Sequence, residues 1–227
     1  MPKQPTTDME PAEPSASIST ADRVLDVAER LVQQRGFNGF SYADIATELK
    51  ITKASLHYHF ATKAELGSAL IVGYSRRFAD ALAQIGEARP QDTLRRYVQL
   101  YEDVLVRDRM CLCGMLAAEY STLPETMRSE LRSFFDLNET WLATHLERGR
   151  KTGELRFEGS ALEFARLLTA GLEGAMLLAR SYEEPARFGA TAKRFLSELS
   201  ASGRGTAPVG RTSARGVVAK RTATTKH

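Results

Sequence analysis

Residues 41–60, SYADIATELKITKASLHYHF, predict two short helices joined by a tight turn. Ser41 is a preferred N-cap residue, and Asp44 gives the first turn of the first helix an acidic character. Apolar residues then recur at helical spacing, so this helix has one apolar face. Lys50 lies in the turn, and Thr52 is the N-cap candidate of the second helix. The stretch has the pattern of a helix-turn-helix.

The second short helix exposes hydrogen-bond donors and no carboxylates. Leu56 and Phe60 are four residues apart and form its apolar stripe, which we expect to face the neighbouring helices. The outward positions carry Lys, Ser, His and Tyr side chains, and no acidic residue occurs between Lys50 and Lys63. A rigid helix of this kind suits a groove lined with phosphates and base-edge acceptors.

The composition is that of a globular protein with a packed core. The chain has 227 residues, of which 43% are hydrophobic and 26% charged, and both shares are ordinary for this class. It contains no run of eighteen apolar residues and no apolar N-terminal stretch, so we expect neither a membrane span nor a secretory signal. Two cysteines are too few for a disulfide framework. We expect a cytoplasmic protein with no membrane partner.

The net charge of +3 does not indicate a basic folded domain. Residues 201–227 hold six Lys and Arg residues and no acidic residue, whereas residues 19–66 hold six of each sign. Residues 1–18 and 201–227 have the composition of disordered tails. The basic tail is either a solvated extension or a source of sequence-independent affinity for DNA. A DNA-binding hypothesis therefore depends on the local pattern at 41–60.

Apolar residues recur with a helical period through the rest of the chain, and no segment alternates as a strand does. Gly36 is expected to end the first helix as its C-cap, and Pro90 to mark a break between the fourth and fifth helices. Helices are predicted at 19–35, 63–85, 93–107, 111–120, 127–151, 160–182 and 185–199. Together with the two short helices they make an all-α fold of nine helices, with a unit of three followed by a bundle of six.

The stretch from about Thr20 to Leu66 resembles the DNA-binding domain of the TetR family of bacterial transcriptional regulators. The matching features are the first helix, the sequence GFNGFSYADIATELKITKASLHYHF, and TKAEL at the opening of the fourth helix. The nine-helix layout agrees with the family along the rest of the chain.

The resemblance implies a helix-turn-helix DNA-binding domain at 19–66 and an effector-binding and dimerisation domain at 67–200. The implied partners are a double-stranded DNA operator, a small-molecule effector, and a second copy of the chain bound through the helices of 160–200. The implied function is that of a repressor released from its operator by the effector. The fourth helix is expected to carry the signal, because it alone joins the two domains.

The resemblance also implies which residues contact DNA. Lys53 and Ser55 can reach base edges, where lysine typically pairs with guanine acceptors. His57 stands where the family commonly has Tyr, and its role is left open. Phosphate contacts that fix the register are expected from Thr52, Tyr58, His59 and Lys63.

Each of these residues has an alternative interpretation. His57 and His59 are two positions apart and diverge by roughly 200° around a helix axis, so they cannot chelate one metal ion. Tyr58 could be a buried core ring. Lys63 could be a solvated lysine, although a cation at a helix N-terminus opposes the helix dipole.

Cys111 and Cys113 permit two interpretations. They can be small buried apolar residues. Alternatively, one of them is a low-pKa thiolate that senses an oxidant or electrophile, because Arg107 and Arg109 are close in sequence and Cys111 can lie at a helix N-terminus. A thiol-based sensor on the same scaffold is thus the alternative function.

Polar and aromatic residues of the second half can outline an effector cavity. His145 and Glu173 lie on or near apolar helix faces and need partners if they are buried. The candidate effector-binding residues are Cys111, Cys113, Met115, Tyr120, Phe134, Trp141, His145 and Glu173. We find no glycine-rich phosphate loop, metal cluster or catalytic triad pattern, and only His145 with Cys113 could form a nucleophile–base pair. The sequence therefore predicts no enzyme, no cofactor and no metal.

Overall fold

The computed structural model describes residues 19–86 and 88–200, which form nine α-helices and one short 3-10 helix. The predicted all-α, nine-helix fold is confirmed for these residues. The tails at 1–18 and 201–227 lie outside them. The helices are α1 (Thr20–Arg35), α2 (Tyr42–Leu49), α3 (Lys53–His59), α4 (Lys63–Ile85), α5 (Pro90–Leu105), α6 (Leu112–Ala118), α7 (Glu125–Lys151), α8 (Ala161–Ser181) and α9 (Ala186–Leu199), and the 3-10 helix is Tyr120–Thr122.

The N-terminal helices begin where the sequence predicts caps. The backbone N–H of Ser41 donates to Asp44 Oδ2 at 2.7 Å and completes a capping box at the start of α2. Thr52 Oγ1 accepts from the N–H of Ser55 at 3.1 Å and begins α3. Lys50 ends α2 in the left-handed region with φ 55°, which turns the chain tightly between the two helices. These local contacts fix the angle at which α3 is presented.

The first three helices surround a small apolar core. Val24 and Ala28 of α1, Ile45 of α2 and Leu56 of α3 are all fully buried. Phe60, the other member of the predicted stripe on α3, is half-buried and packs against this core. One face of α3 therefore holds the helix in place and leaves the opposite face to solvent.

The other six helices form a bundle in which α7 packs against α4, α5 and α8, and α8 packs against α9. A buried hydrogen-bond network ties two of these layers together. Tyr97 Oη donates to Asn138 Oδ1 at 2.7 Å, and Asn138 Nδ2 donates to Tyr101 Oη at 3.2 Å. The buried Asn138 is thus satisfied by two tyrosines of α5 and needs no ligand.

Two predicted helix boundaries differ from the structure. The break that Pro90 marks lies between Ile85 and Pro90 as predicted, but α5 begins at Pro90 itself and not at 93, because proline lacks only an N–H that the first helical turn leaves unused. The segment predicted as one helix at 111–120 is a seven-residue α6, which Cys111 precedes as N-cap, and a separate 3-10 helix.

The expectation that α4 alone joins the two parts of the molecule is also wrong. Helix α1 packs against α6. The backbone N–H of Met110 donates to the carbonyl of Gln33 at 3.2 Å, and Arg180 Nη2 donates to the carbonyl of Gln34 at 2.7 Å. These contacts are distant in sequence, which is why helical periodicity gave no sign of them.

Candidate nucleic-acid interface and effector region

The outward face of α3 is open to solvent. Lys53, His57 and Tyr58 are exposed, and Ser55 and His59 are half-buried. Tyr58 has 86% of its surface exposed, which excludes the interpretation as a core ring. Its ring meets that of His59 edge-on, with centroids 5.2 Å apart. The described residues between Lys50 and Lys63 carry no carboxylate, so the face offers hydrogen-bond donors without a negative charge.

His57 is held by the protein on one side of its ring. Its Nδ1 lies 3.0 Å from the carbonyl oxygen of Ala61, and its ring centroid lies 4.8 Å from that of Tyr42. A carbonyl oxygen can only accept, so Nδ1 carries a proton and donates it. This arrangement fixes the ring and leaves Nε2 facing away from that contact, where in the neutral ring it can accept a hydrogen bond from a base-edge donor.

Lys63 points toward the loop between α1 and α2. Its Nζ donates to the carbonyls of Phe37 and Phe40 and lies 4.1 Å from the centroid of the Phe40 ring. Burial lowers the pKa of Lys63, whereas the charges of Glu119 and Asp44 oppose that shift. An ammonium group has three N–H donors, so one remains after these two contacts. The phosphate contact of Lys63 therefore stays a prediction, and its interpretation as a solvated lysine does not fit these contacts.

Family models match almost the whole described chain. Residues 24–70 match the model of bacterial regulatory proteins of the tetR family, and residues 86–195 match the model of the tetracyclin repressor-like C-terminal domain. The transcriptional repressor NemR of Escherichia coli strain K12 is 30% identical over 174 residues, which are 72% of this chain and 87% of NemR.

The chain belongs to the TetR family of transcriptional regulators. The transcriptional regulator AcuR of Cereibacter sphaeroides is 27% identical over 186 residues, or 79% of this chain and 84% of AcuR. The crystal structure of a TetR-family regulator from Agrobacterium tumefaciens superposes with a TM-score of 0.77 at 35% identity, covering 79% of this chain and 97% of that one. These relatives are regulators of transcription. In this TetR-family protein, no helix of the described ranges is long and apolar enough to cross a membrane.

The candidate effector residues of this TetR-family protein do not form one cluster. Cys111 of the α6 N-terminus and Glu173 of α8 are in contact, and Phe134 lies on the far side of Tyr74, with ring centroids 5.7 Å apart. Trp141 stacks on Tyr97 at 5.7 Å and lies 4.1 Å from the His145 ring. Cys113 is buried and Met115 half-buried on α6.

Tyr120 lies outside the bundle interior. It is 40% exposed, and its Oη accepts a hydrogen bond from Arg132 Nη1 at 2.7 Å on the surface. The apolar spacing of the segment predicted an inward ring, but the chain leaves the α-helix at Glu119 and the 3-10 turn rotates Tyr120 outward.

Glu173 is the most perturbed acid of the effector region. Its Oε1 is buried and accepts no hydrogen bond, and its Oε2 lies against Gly114, where an added Cβ would come within 2.2 Å. Burial raises the pKa of Glu173 to about 7, and the hydrogen bond with Cys111 opposes the shift. The sequence indicated that this carboxyl would need a partner, and the structure provides a thiol for only part of it.

The structure agrees with the interpretation of the two cysteines as small buried residues, and the alternative of a low-pKa thiolate does not fit this conformation. Cys111 and Cys113 are both buried. Burial raises the pKa of the Cys111 thiol well above its ordinary value, and the charge of Glu173 raises it further. Cys111 does lie at the N-terminus of α6, but loss of hydration outweighs the helix dipole. Tyr74 Oη donates to Cys111 Sγ at 3.8 Å.

We predict that Glu173→Gln alters the pH dependence of stability. The folded pKa of Glu173 is raised from 4.5 to about 7, so folded protein binds this proton more tightly than the unfolded chain. The resulting stabilisation is complete below pH 4.5 and is lost as the pH rises through 7. Because glutamine stays neutral, it does not lose this stabilisation. The free energy of unfolding of the variant, measured with urea, should therefore rise relative to that of the wild type between pH 4.5 and 7, by about 3 kcal/mol at pH 7. Parallel pH curves for the two proteins would contradict the assignment.

Proposed function

We propose that this TetR-family protein is a homodimeric repressor whose α3 helices enter the major groove of two half-sites. The observation that supports it is the outward face of α3, on which Lys53, Ser55, His57, Tyr58 and His59 present donors from a rigidly capped helix. Thr52 at its N-cap and Lys63 at the start of α4 flank this face and are assigned to phosphates.

The dimer is proposed to form through the helices of 160–200. Leu167, Ala170, Gly174 and Leu178 follow one another at helical spacing along α8 and form a stripe that no helix of the same protomer covers. Leu167 is 55% and Leu178 60% exposed, and a Cβ added at Gly174 would meet nothing within 4 Å. A large apolar stripe with a small residue at its centre suits the close approach of a second copy of α8.

The effector is proposed to bind inside the bundle, near Cys111 and Glu173. The buried Oε1 of Glu173 accepts no hydrogen bond from the protein, so a ligand with an N–H or O–H group could supply one. Cys113 and Met115 follow Cys111 along α6, and Phe134 packs against Tyr74, which contacts Cys111, whereas Trp141 and His145 lie further along α7. The two α3 helices, which we call the reading helices, have different spacings in the DNA-bound and released conformations of the dimer. A ligand that binds one conformation more tightly shifts the equilibrium toward that conformation.

Release of DNA by a small molecule tests this proposal. An operator is first selected from random duplexes with the purified protein, and a metabolite library is then screened for compounds that raise the dissociation constant measured by fluorescence anisotropy. We expect at least one compound to weaken binding about tenfold, within the usual range of allosteric coupling. A selection that enriches no sequence would contradict the DNA-binding proposal.

A thiol-based sensor is the second candidate, and the Cys111–Glu173 contact favours it. A carboxylate with a pKa near 7 could accept the thiol proton when Cys111 attacks an electrophile.

We expect Cys111→Ala with Cys113→Ala to keep operator affinity within about threefold and to keep the response to a reversible effector, because both thiols are buried and unionised. Anisotropy titrations with the effector and with iodoacetamide, on wild type and variant, measure both responses. If the variant bound DNA but responded to neither reagent, the result would support the thiol mechanism and contradict the ligand mechanism.

A further inference from the structure

The loop between α1 and α2 is held from two sides by opposite charges. Glu119, the C-cap of α6, accepts the backbone N–H of Phe37 at 2.6 Å and that of Asn38 at 3.3 Å through its Oε2. On the carbonyl side, Lys63 Nζ donates to Phe37 and Phe40. The chain is thus fixed between a carboxylate of the bundle and the ammonium group that opens α4.

The end of α1 is held by the bundle as well. Arg180 of α8 donates to the carbonyls of Gln33 at 3.3 Å and Gln34 at 2.7 Å, and Met110 donates its N–H to Gln33. The last carbonyls of a helix have no partner within the helix and carry its negative dipole end, so a guanidinium group is a strong partner for them. We call residues 33–38 with Met110, Glu119 and Arg180 the junction.

The glycine at the junction is required by two features at once. Gly36 has φ +80°, a conformation that favours glycine, and a Cβ there would lie 2.6 Å from Glu119 Oε1. The carboxylate of Glu119 therefore approaches the backbone as closely as the chain permits. This close fit allows little independent movement of α6 and the loop.

Helix α6 connects the junction to the proposed effector region. Cys111 at its N-terminus contacts Glu173, and Glu119 at its C-terminus holds the loop. Seven helical residues span about 10 Å, so α6 is a short rod between the two sites. Glu173 and Arg180 are seven residues apart on α8, and so lie on the same side of that helix. A displacement at Glu173 therefore reaches the junction through α6 and through α8.

We propose that Glu119 and Arg180 are positioning residues that set the placement of the reading helix relative to the dimer. Through the junction, α6 and α8 fix α1 and the α1–α2 loop. Helix α2 follows because it packs on α1, and α3 follows because it packs on α2. The effector signal then passes through the junction in parallel with α4. This inference rests on the proposed effector-responsive DNA binding.

The decisive variant is Glu119→Ala, with Glu119→Gln as the milder change and Glu125→Gln as the control. Glu125 pairs with Arg132 on the surface and contacts no residue of the N-terminal unit in the hydrogen bonds and ion pairs of the described chain. Amide hydrogen exchange on the free protein is the first measurement. We expect the amide exchange of Phe37 and Asn38 to accelerate at least tenfold in Glu119→Ala, because both N–H groups lose their acceptor. In Glu119→Gln, where a neutral acceptor remains, we expect an acceleration of about threefold. The exchange rates should not change in the control.

The second measurement separates positioning from mere stability. Wild type and variants are titrated with the selected operator and with operators carrying one inserted base pair between the half-sites. We expect wild type to prefer the native spacing at least tenfold, and Glu119→Ala to reduce that preference to about threefold or less, because its reading helices are held less firmly. A variant that loses affinity for both duplexes in equal proportion would show that Glu119 only stabilises the fold, and would overturn the inference.

The two measurements also keep the inference distinct from the proposal on which it rests. If wild type bound no duplex, the DNA-binding proposal would fail whatever the exchange data showed. If wild type bound DNA and Glu119→Ala left both the exchange rates and the spacing preference unchanged, the DNA-binding proposal would stand and the junction would have no positioning role.

Discussion

Lys53→Glu is expected to lower the affinity for the operator by at least about 100-fold. The substitution removes a donor at the N-terminus of α3 and places a carboxylate on a helix face that carries none, opposite phosphates and base acceptors. Loss of a base contact costs about 1–3 kcal/mol, and repulsion from the duplex adds to it. Fluorescence anisotropy with the selected operator measures the change, with circular dichroism to confirm that the helices are intact.

Lys151→Glu is the matched control for this charge reversal. Lys151 ends α7 in the bundle and its side chain is 75% exposed, so the substitution changes the net charge equally without touching the reading helix. We expect its affinity to stay within about threefold of wild type at physiological salt. If both reversals weakened binding equally, the protein would bind DNA by its overall charge and α3 would not be the reading element.

Leu178→Glu is expected to convert the dimer to a monomer and, with it, to abolish tight operator binding. A carboxylate at Leu178, the C-terminal end of the α8 stripe, would be buried in the interface, and the two-fold axis would place the same charge there twice. Unpaired buried charges cost several kcal/mol each, more than a dimer of moderate affinity can lose. Sedimentation velocity should show the monomer at micromolar concentration, and operator affinity should fall by about 100-fold or more because one half-site alone is bound.

Val106→Glu provides the comparison for the dimer prediction. Val106 follows α5, is not part of the α8 stripe and is 82% exposed, so it tests the cost of placing a glutamate on an exposed apolar position. We expect it to remain dimeric with unchanged operator affinity. A Leu178→Glu protein that still sedimented as a dimer would move the interface away from the stripe on α8.

The sequence was sufficient for the features that depend on nearby residues. Ser41 and Thr52 begin their helices as predicted, because an N-cap acts on residues two or three positions ahead. The inward stripe of Leu56 and Phe60 could also be predicted from the sequence, since helical spacing decides which side chains share a face. The identity of the outward residues on α3 follows from that stripe alone.

The features that the sequence did not reveal depend on contacts between distant segments. The phosphate contact of Lys63 stays a prediction, but no local pattern indicated that its Nζ also reaches carbonyls more than twenty residues earlier in the chain. The alternative of a low pKa for Cys111 rested on arginines nearby in the sequence, but the acid of a helix sixty residues later faces the thiol instead. The junction at Glu119 and Arg180 was missed for the same reason, because no local pattern distinguishes these residues from surface charges.

Protection of guanine N7 from dimethyl sulfate tests the central claim most directly, because this atom lies in the major groove whereas adenine N3, methylated by the same reagent, lies in the minor groove. With the selected operator, we predict protection of guanine N7 at two symmetric positions, and loss of that protection in the Lys53→Glu protein at concentrations high enough to occupy the duplex. Protection of adenine N3 alone, or of guanines that Lys53→Glu leaves unchanged, would show that α3 does not read the major groove.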